Sequence, residues 1–123
     1  MLPLTLQAGD RGSADYYLAD PESYLDKKVS VYVSWVDVPA INVQSEEDNF
    51  RVFRISTKGQ QSGEYNYGGS IYMMVPKSDA AAFVKRHNNS TSSVPKSVSG
   101  IFKKWDRPSK YVPSSSYYID CTK

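Results

Sequence analysis

The stretch spanning residues 69–88 constrains this chain more than any other. It opens with Ile71, Met73 and Val75 alternating against Tyr72 and Met74, the period-two signature of a strand. Pro76 has no amide hydrogen to give a sheet ladder, so the strand is predicted to end there. Ser78 offers a side-chain acceptor to the first helical amides, and Asp79 adds negative charge at the positive end of the helix dipole. Ala80, Phe83, Val84 and His87 then recur at three- and four-residue spacing, which predicts a short helix with one apolar face. Lys85 and Arg86 suit its last turn, and Asn88 and Asn89 can terminate it. A lone short helix directly after a strand, in a chain otherwise rich in strand patterns, leaves few architectures.

The rest of the chain reads as strands and connections. Residues 1–15, with Leu2, Leu4 and Leu6 at the start, suggest an extended arm or a frayed terminus. Asp20-Pro21-Glu22-Ser23 suggests a single helical turn with Asp20 as its cap. A first strand is expected over 28–38, with Val29, Val31, Val33 and Trp35 on one face and Ser30, Tyr32 and Ser34 on the other. Beyond Trp35 the apolar positions become Val36 and Val38, so a bulge or sharp bend is expected there. Residues 39–49 read as a loop with the acidic run Glu46-Glu47-Asp48. A second strand is expected over 50–57, with Phe53 and Ile55 inward and Val52 and Arg54 opposite, and 58–69 as a connection. After the helix, 97–105 reads as a fourth strand bent at Gly100, 106–116 as a long turn, and 117–122 as a fifth strand. The domain organisation expected is an arm over 1–19 and one folded domain over 20–123.

Charge is unevenly placed. Residues 1–84 carry seven Lys and Arg against eleven Asp and Glu, a balance of −4, while 85–123 carry eight against two, a balance of +6. Such charges can equally be ordinary solvated surface. A single cysteine, Cys121, excludes an internal disulfide and a thiolate-rich zinc site, and its place in the last strand suits a small core residue. No run approaches the length of a membrane span. A cytoplasmic protein and an exported one whose leader has been removed both fit the sequence.

The predicted order is strand, strand, strand, helix, strand, strand. Tyr24-Leu25-Asp26-Lys27-Lys28-Val29-Ser30-Val31 resembles the usual lead-in to the first strand of the oligonucleotide/oligosaccharide-binding (OB) fold family, with Asp26 where glycine is common. Ser97-Val98-Ser99-Gly100-Ile101-Phe102, followed by Tyr117-Tyr118-Ile119-Asp120, resembles the closing hairpin of that family, as in tRNA-anticodon-binding and other bacterial OB domains. The resemblance implies an all-β fold with one short helix: a five-stranded Greek-key barrel, its helix between strands three and four. It also implies a ligand face across strands two and three, flanked by the loops joining strands one to two and four to five.

Mapped onto this chain, that face presents Val52, Arg54, Tyr72 and Met74, edged by Tyr65, Tyr67, Arg107, Lys110 and Tyr111, with Lys103, Lys104 and Trp105 extending a basic edge. Aromatic rings stack on bases and Arg or Lys tracks phosphates, so these residue types suit single-stranded nucleic acid. Glu46, Glu47 and Asp48 oppose that reading by repelling a phosphate backbone. Tyr72 and Tyr118 also suit cross-strand pairing, Arg54 suits pairing with Glu64, and Trp105 suits capping the barrel end. The only histidine, His87, suits packing or capping at the helix end better than catalysis. Neither a nucleophile with its base, nor a metal-ligand spacing, nor a phosphate loop stands out, so the expectation is a non-enzymatic binding module with no cofactor. Two ligand classes are carried forward. One is single-stranded nucleic acid, and the other is a protein partner or small ligand of an exported or structural OB-like domain. The three leucines of the arm suit an edge-strand dimer as well as covering their own barrel, which leaves the oligomeric state open.

Overall fold

The computed structural model describes residues 12–37, 50–61, 64–88, 95–105 and 116–122. Most of the N-terminal arm, the acidic loop with Glu46, Glu47 and Asp48, and the turn carrying Arg107, Lys110 and Tyr111 lie outside the described residues.

Five strands form the body: β1 (Lys28–Val36), β2 (Phe50–Gln61), β3 (Glu64–Pro76), β4 (Lys96–Lys104) and β5 (Tyr117–Asp120). They close into a barrel in the order β1-β2-β3-β5-β4, with β4 returning to pair with β1. All neighbours are antiparallel except β3 and β5. The helix α2 (Ala80–His87) lies between β3 and β4, as expected, after a 3₁₀ turn at Lys77–Asp79. Among the described residues no helix is long and apolar enough to cross a membrane.

The inward faces follow from strand alternation. Val29, Val31, Val33, Val36, Phe53, Ile55, Ile71, Met73, Val75, Phe102 and Ile119 fill the barrel. Phe83 from α2 stacks on Phe53 at 5.8 Å and helps close that end. Asn88, just past α2, holds the end of β1 through its side-chain amide. It accepts from the Val36 amide at 2.8 Å and donates to the Val36 carbonyl at 2.7 Å, imitating a neighbouring strand.

A second helix, α1 (Ala14–Leu18), was not anticipated from sequence. Ser13 caps it by accepting from the Tyr16 amide at 3.0 Å, and Asp15 lies in its first turn. Ala14 is buried in the core cluster, and its amide donates to Thr57 Oγ1 at 2.8 Å. That hydroxyl in turn lies 3.1 Å from the Gly68 carbonyl and 2.9 Å from the Gly69 carbonyl. Below α1, Tyr17, Tyr24, Phe102 and Tyr117 form a chain of ring contacts.

Two further differences from the expected pattern concern the strand bounds. The strands β2 and β3 run on as a ribbon from Lys58 to Gln61 and from Glu64 to Tyr67, where the polar composition suggested a connection. The first strand ends at Val36, and Asp37 follows it without regular structure. Asp26 adopts φ 65°, the left-handed conformation that glycine takes most easily, so its backbone matches what a glycine there would supply.

Candidate outer-face site

Two bulges decide which side chains face outward on β1, β2 and β3. The β1–β2 register slips between Val33 and Trp35, because Ser34 is an extra residue opposite β2. Trp35 is thereby turned away from the face that Val33 occupies and is 49% exposed, while Val36 is fully buried. The change of alternation predicts a bend near Trp35, but unbroken alternation puts Trp35 on the same face as Val33. The bulge reverses it.

The second slip lies between Ser56 and Lys58 on β2, where β3 fits two residues, Gly68 and Gly69, opposite Thr57 alone. Gly69 has φ +88° and carries no Cβ, and a Cβ there would lie 2.2 Å from Asp15 Oδ1 of α1. Strict alternation from Ile71 would send Tyr67 inward. The extra residue instead puts Tyr67 beside Lys58 on the outer face, 70% exposed, with its hydroxyl 3.2 Å from Ser70 Oγ.

The outer surface is then built row by row. One row pairs Trp35 with Ser56 and Ser56 with Ser70. The next pairs Arg54 with Tyr72, Tyr72 with Tyr118 and Tyr118 with Lys103. The guanidinium of Arg54 lies 5.7 Å from the centroid of the Tyr72 ring, a cation–π distance. With neighbouring strands about 4.8 Å apart, Trp35 and the β3 residues stand about 10 Å apart across the face. The result is a shallow platform: two exposed rings, a hydroxyl floor of Ser56 and Ser70, and one arginine over a half-buried tyrosine.

The adjoining row is closed. Phe50, Val52, Met74, Trp105 and Tyr118 pack as a second apolar cluster on the outside of the sheet, with Tyr72 against it. Val52 is fully buried, Met74 is 4% exposed and Trp105 is 2% exposed. Trp105 meets Tyr118 edge-on at 5.2 Å. Val52, Met74 and Trp105 are therefore buried in packing; the sequence suggested a ligand face for Val52 and Met74, and for Trp105 either its basic edge or a cap on the barrel end.

The remaining expected residues divide as follows. Tyr65 packs edge-on against Tyr32 at 5.3 Å. Lys103 donates to Asp120 Oδ2 at 2.8 Å, and this bond holds its ammonium above the ordinary lysine range. Burial pushes the Asp120 carboxyl up, but the bonds from Lys103 and from the Thr122 hydroxyl and amide more than offset it, leaving a net downward shift. Lys104 lies over the Tyr117 ring at 5.9 Å. Of the expected residues that the structure describes, Arg54, Tyr67 and Tyr72 share the platform. Trp35, Ser56, Lys58 and Ser70 join them, and the change of alternation around Trp35 was the one sequence signal for any of these four.

His87 lies outside this surface. It is buried against Phe83 at 4.7 Å, and among the described residues neither ring nitrogen has a hydrogen-bond partner. Burial, with help from the positive charges of Arg86 and Lys96, lowers its pKa to about 4, which keeps it neutral near pH 7. Burial pushes the Cys121 thiol up to about 12, with a further rise from Asp120, so it is a poor nucleophile. Comparison with protein-family models, curated proteins and solved structures finds no match to the chain.

Proposed function

We propose that the protein is a non-catalytic binding module of OB-like architecture that holds single-stranded nucleic acid on the β1–β2–β3 outer face. The observation carrying this reading is the paired exposure of Trp35 and Tyr67 by two bulges, on either side of Ser56 and Ser70 and beside Arg54. Exposed rings on a sheet stack on bases without regard to sequence, and Arg54 with Lys58 supplies contacts for phosphate. Ser56 and Ser70 give hydroxyl partners to sugar or base edges. With two cations, Arg54 and Lys58, among the described residues of the platform, their contacts are expected to lower log K by about 0.7–1.4 per tenfold rise in salt.

A second reading, a protein or small-ligand partner, is favoured by the near-balanced charge of the same surface. Asp37 follows β1 beside Arg54, its amide donating to the Arg54 carbonyl at 3.0 Å, and Asp120 neutralises Lys103. Fluorescence anisotropy with labelled mixed-sequence single-stranded DNA and RNA, at low and at physiological salt, separates the two. The nucleic-acid reading expects micromolar binding at low salt that weakens with added salt and is lost in Arg54→Ala and Tyr72→Ala. No binding at low ionic strength defeats it and leaves the second reading.

A further inference from the structure

The three strands that carry the platform are also held together by one short segment, α1 with the residues just before it. On β1, the Gly12 carbonyl accepts from the Tyr32 amide at 2.8 Å, and the Tyr17 hydroxyl donates to the Ser30 carbonyl at 2.9 Å. On β2, Thr57 Oγ1 accepts from the Ala14 amide at 2.8 Å. On β3, Ser13 and Asp15 press directly on the two bulge residues. A Cβ at Gly68 would lie 2.3 Å from the Ser13 Cβ, and one at Gly69 would lie 2.2 Å from Asp15 Oδ1. Ala14 belongs to the core cluster, so α1 meets the strands from the side opposite Tyr67.

We propose that α1 is a clip that sets the β3 bulge, and that its docking is linked to ligand binding at Tyr67. The second half of this inference rests on the binding reading of the platform.

The Thr57 hydroxyl is the joint. It bonds the helix amide on one side and reaches the Gly68 and Gly69 carbonyls on the other, so helix and bulge cannot part without leaving buried polar groups unpaired. The bulge is what turns Tyr67 outward, and a one-residue change of register reverses the facing of a strand residue. At five residues α1 is too short to persist as a helix by itself, so its docked form depends on these contacts. The segment therefore has two states, docked and locally opened. A ligand that stacks on Tyr67 in its outward position favours the docked state, and by reciprocity docking strengthens that ligand's binding by the same factor.

The test uses Thr57→Val, Thr57→Ser and Tyr17→Phe in the whole chain. The first arm has no ligand and reads Ala14 amide exchange together with the amide chemical shift of Tyr67. Thr57→Val should speed Ala14 exchange by about tenfold or more and move the Tyr67 signal, while Tyr118 in the outer cluster stays in place. Tyr17→Phe, which removes a hydroxyl bond at an exposed position and leaves the core intact, should act in the same direction with smaller size. The second arm adds a labelled mixed-sequence single-stranded oligonucleotide. Affinity should fall by about fivefold or more in Thr57→Val and recover in Thr57→Ser, and saturating oligonucleotide should slow Ala14 exchange in the parent chain, which a purely structural tie would not do. A Tyr67 signal unmoved in both Thr57→Val and Tyr17→Phe overturns the clip. Parental affinity in Thr57→Val, or Ala14 exchange indifferent to bound oligonucleotide, overturns the linkage. If the parent chain binds no oligonucleotide, the binding reading and the linkage fall together, and the first arm alone decides whether α1 sets the bulge.

Discussion

Thr57 ties α1 to the barrel, and replacing it by valine removes the tie at nearly constant shape. The hydroxyl accepts from the buried Ala14 amide at 2.8 Å and donates toward the Gly68 and Gly69 carbonyls. Thr57 is fully buried, so no water takes over either role without local opening. A typical internal hydrogen bond contributes about 1 kcal/mol net, while an unpaired buried amide costs about 1–3 kcal/mol. The Gly68 and Gly69 carbonyls share one hydroxyl proton, which counts as one bond rather than two. Thr57→Val should therefore cost about 2–3 kcal/mol, read as a lower urea midpoint at unchanged slope, and lower Tm by about 10 °C. Thr57→Ser keeps the hydroxyl and loses a methyl group, at about 1 kcal/mol. Hydrogen exchange at the Ala14 amide should rise in the valine variant and stay protected in the serine variant. The reasoning fails if valine costs no more than serine, or if Ala14 protection is the same in both.

Three other outcomes follow from local geometry. The pKa of His87 is lowered from about 6.5 to about 4, so the unfolded chain binds its proton first. Its contribution to stability is complete above about pH 6.5 and is lost as pH falls toward 4, by about 3 kcal/mol. Urea midpoints across that window should be flatter for His87→Phe than for the parent chain. Asn88→Ala leaves the Val36 amide and carbonyl without their side-chain partner and should cost about 1–3 kcal/mol in urea unfolding, with weaker oligonucleotide binding because Trp35 adjoins Val36. Asp26→Gly relieves a left-handed backbone and should raise the unfolding free energy, read from urea titration, by up to about 1 kcal/mol, part of the gain being offset by the freer unfolded chain.

The architecture was legible where a residue pattern has one physical meaning. The alternation of Ile71, Met73 and Val75, the stop at Pro76 and the apolar face through Phe83 and His87 define a strand and a helix without tertiary help. The change from Trp35 to Val36 signalled the bulge. The facing of individual side chains was less legible. Alternation tells which residues share a side, but it does not tell whether the outer side is covered. Val52 and Met74 are closed off because Trp105, distant in sequence, packs into the same outer cluster. Tyr67 faces out because Gly68 and Gly69 add a residue to β3, and a glycine pair in sequence fits a turn as well as a bulge. The helix at Ala14–Leu18 is too short for a periodic face, and its one local sign was the cap at Ser13.

Trp35 is the most direct reporter of the proposed ligand surface. The chain has two tryptophans, and Trp105 is 2% exposed whereas Trp35 is 49% exposed, so quenching of tryptophan emission by an unlabelled single-stranded oligonucleotide reports mainly on Trp35. If Trp35 contacts the ligand, quenching should be saturable at low salt in the parent chain and mostly absent in Trp35→Phe. Binding without quenching, or equal quenching in Trp35→Phe, would contradict it.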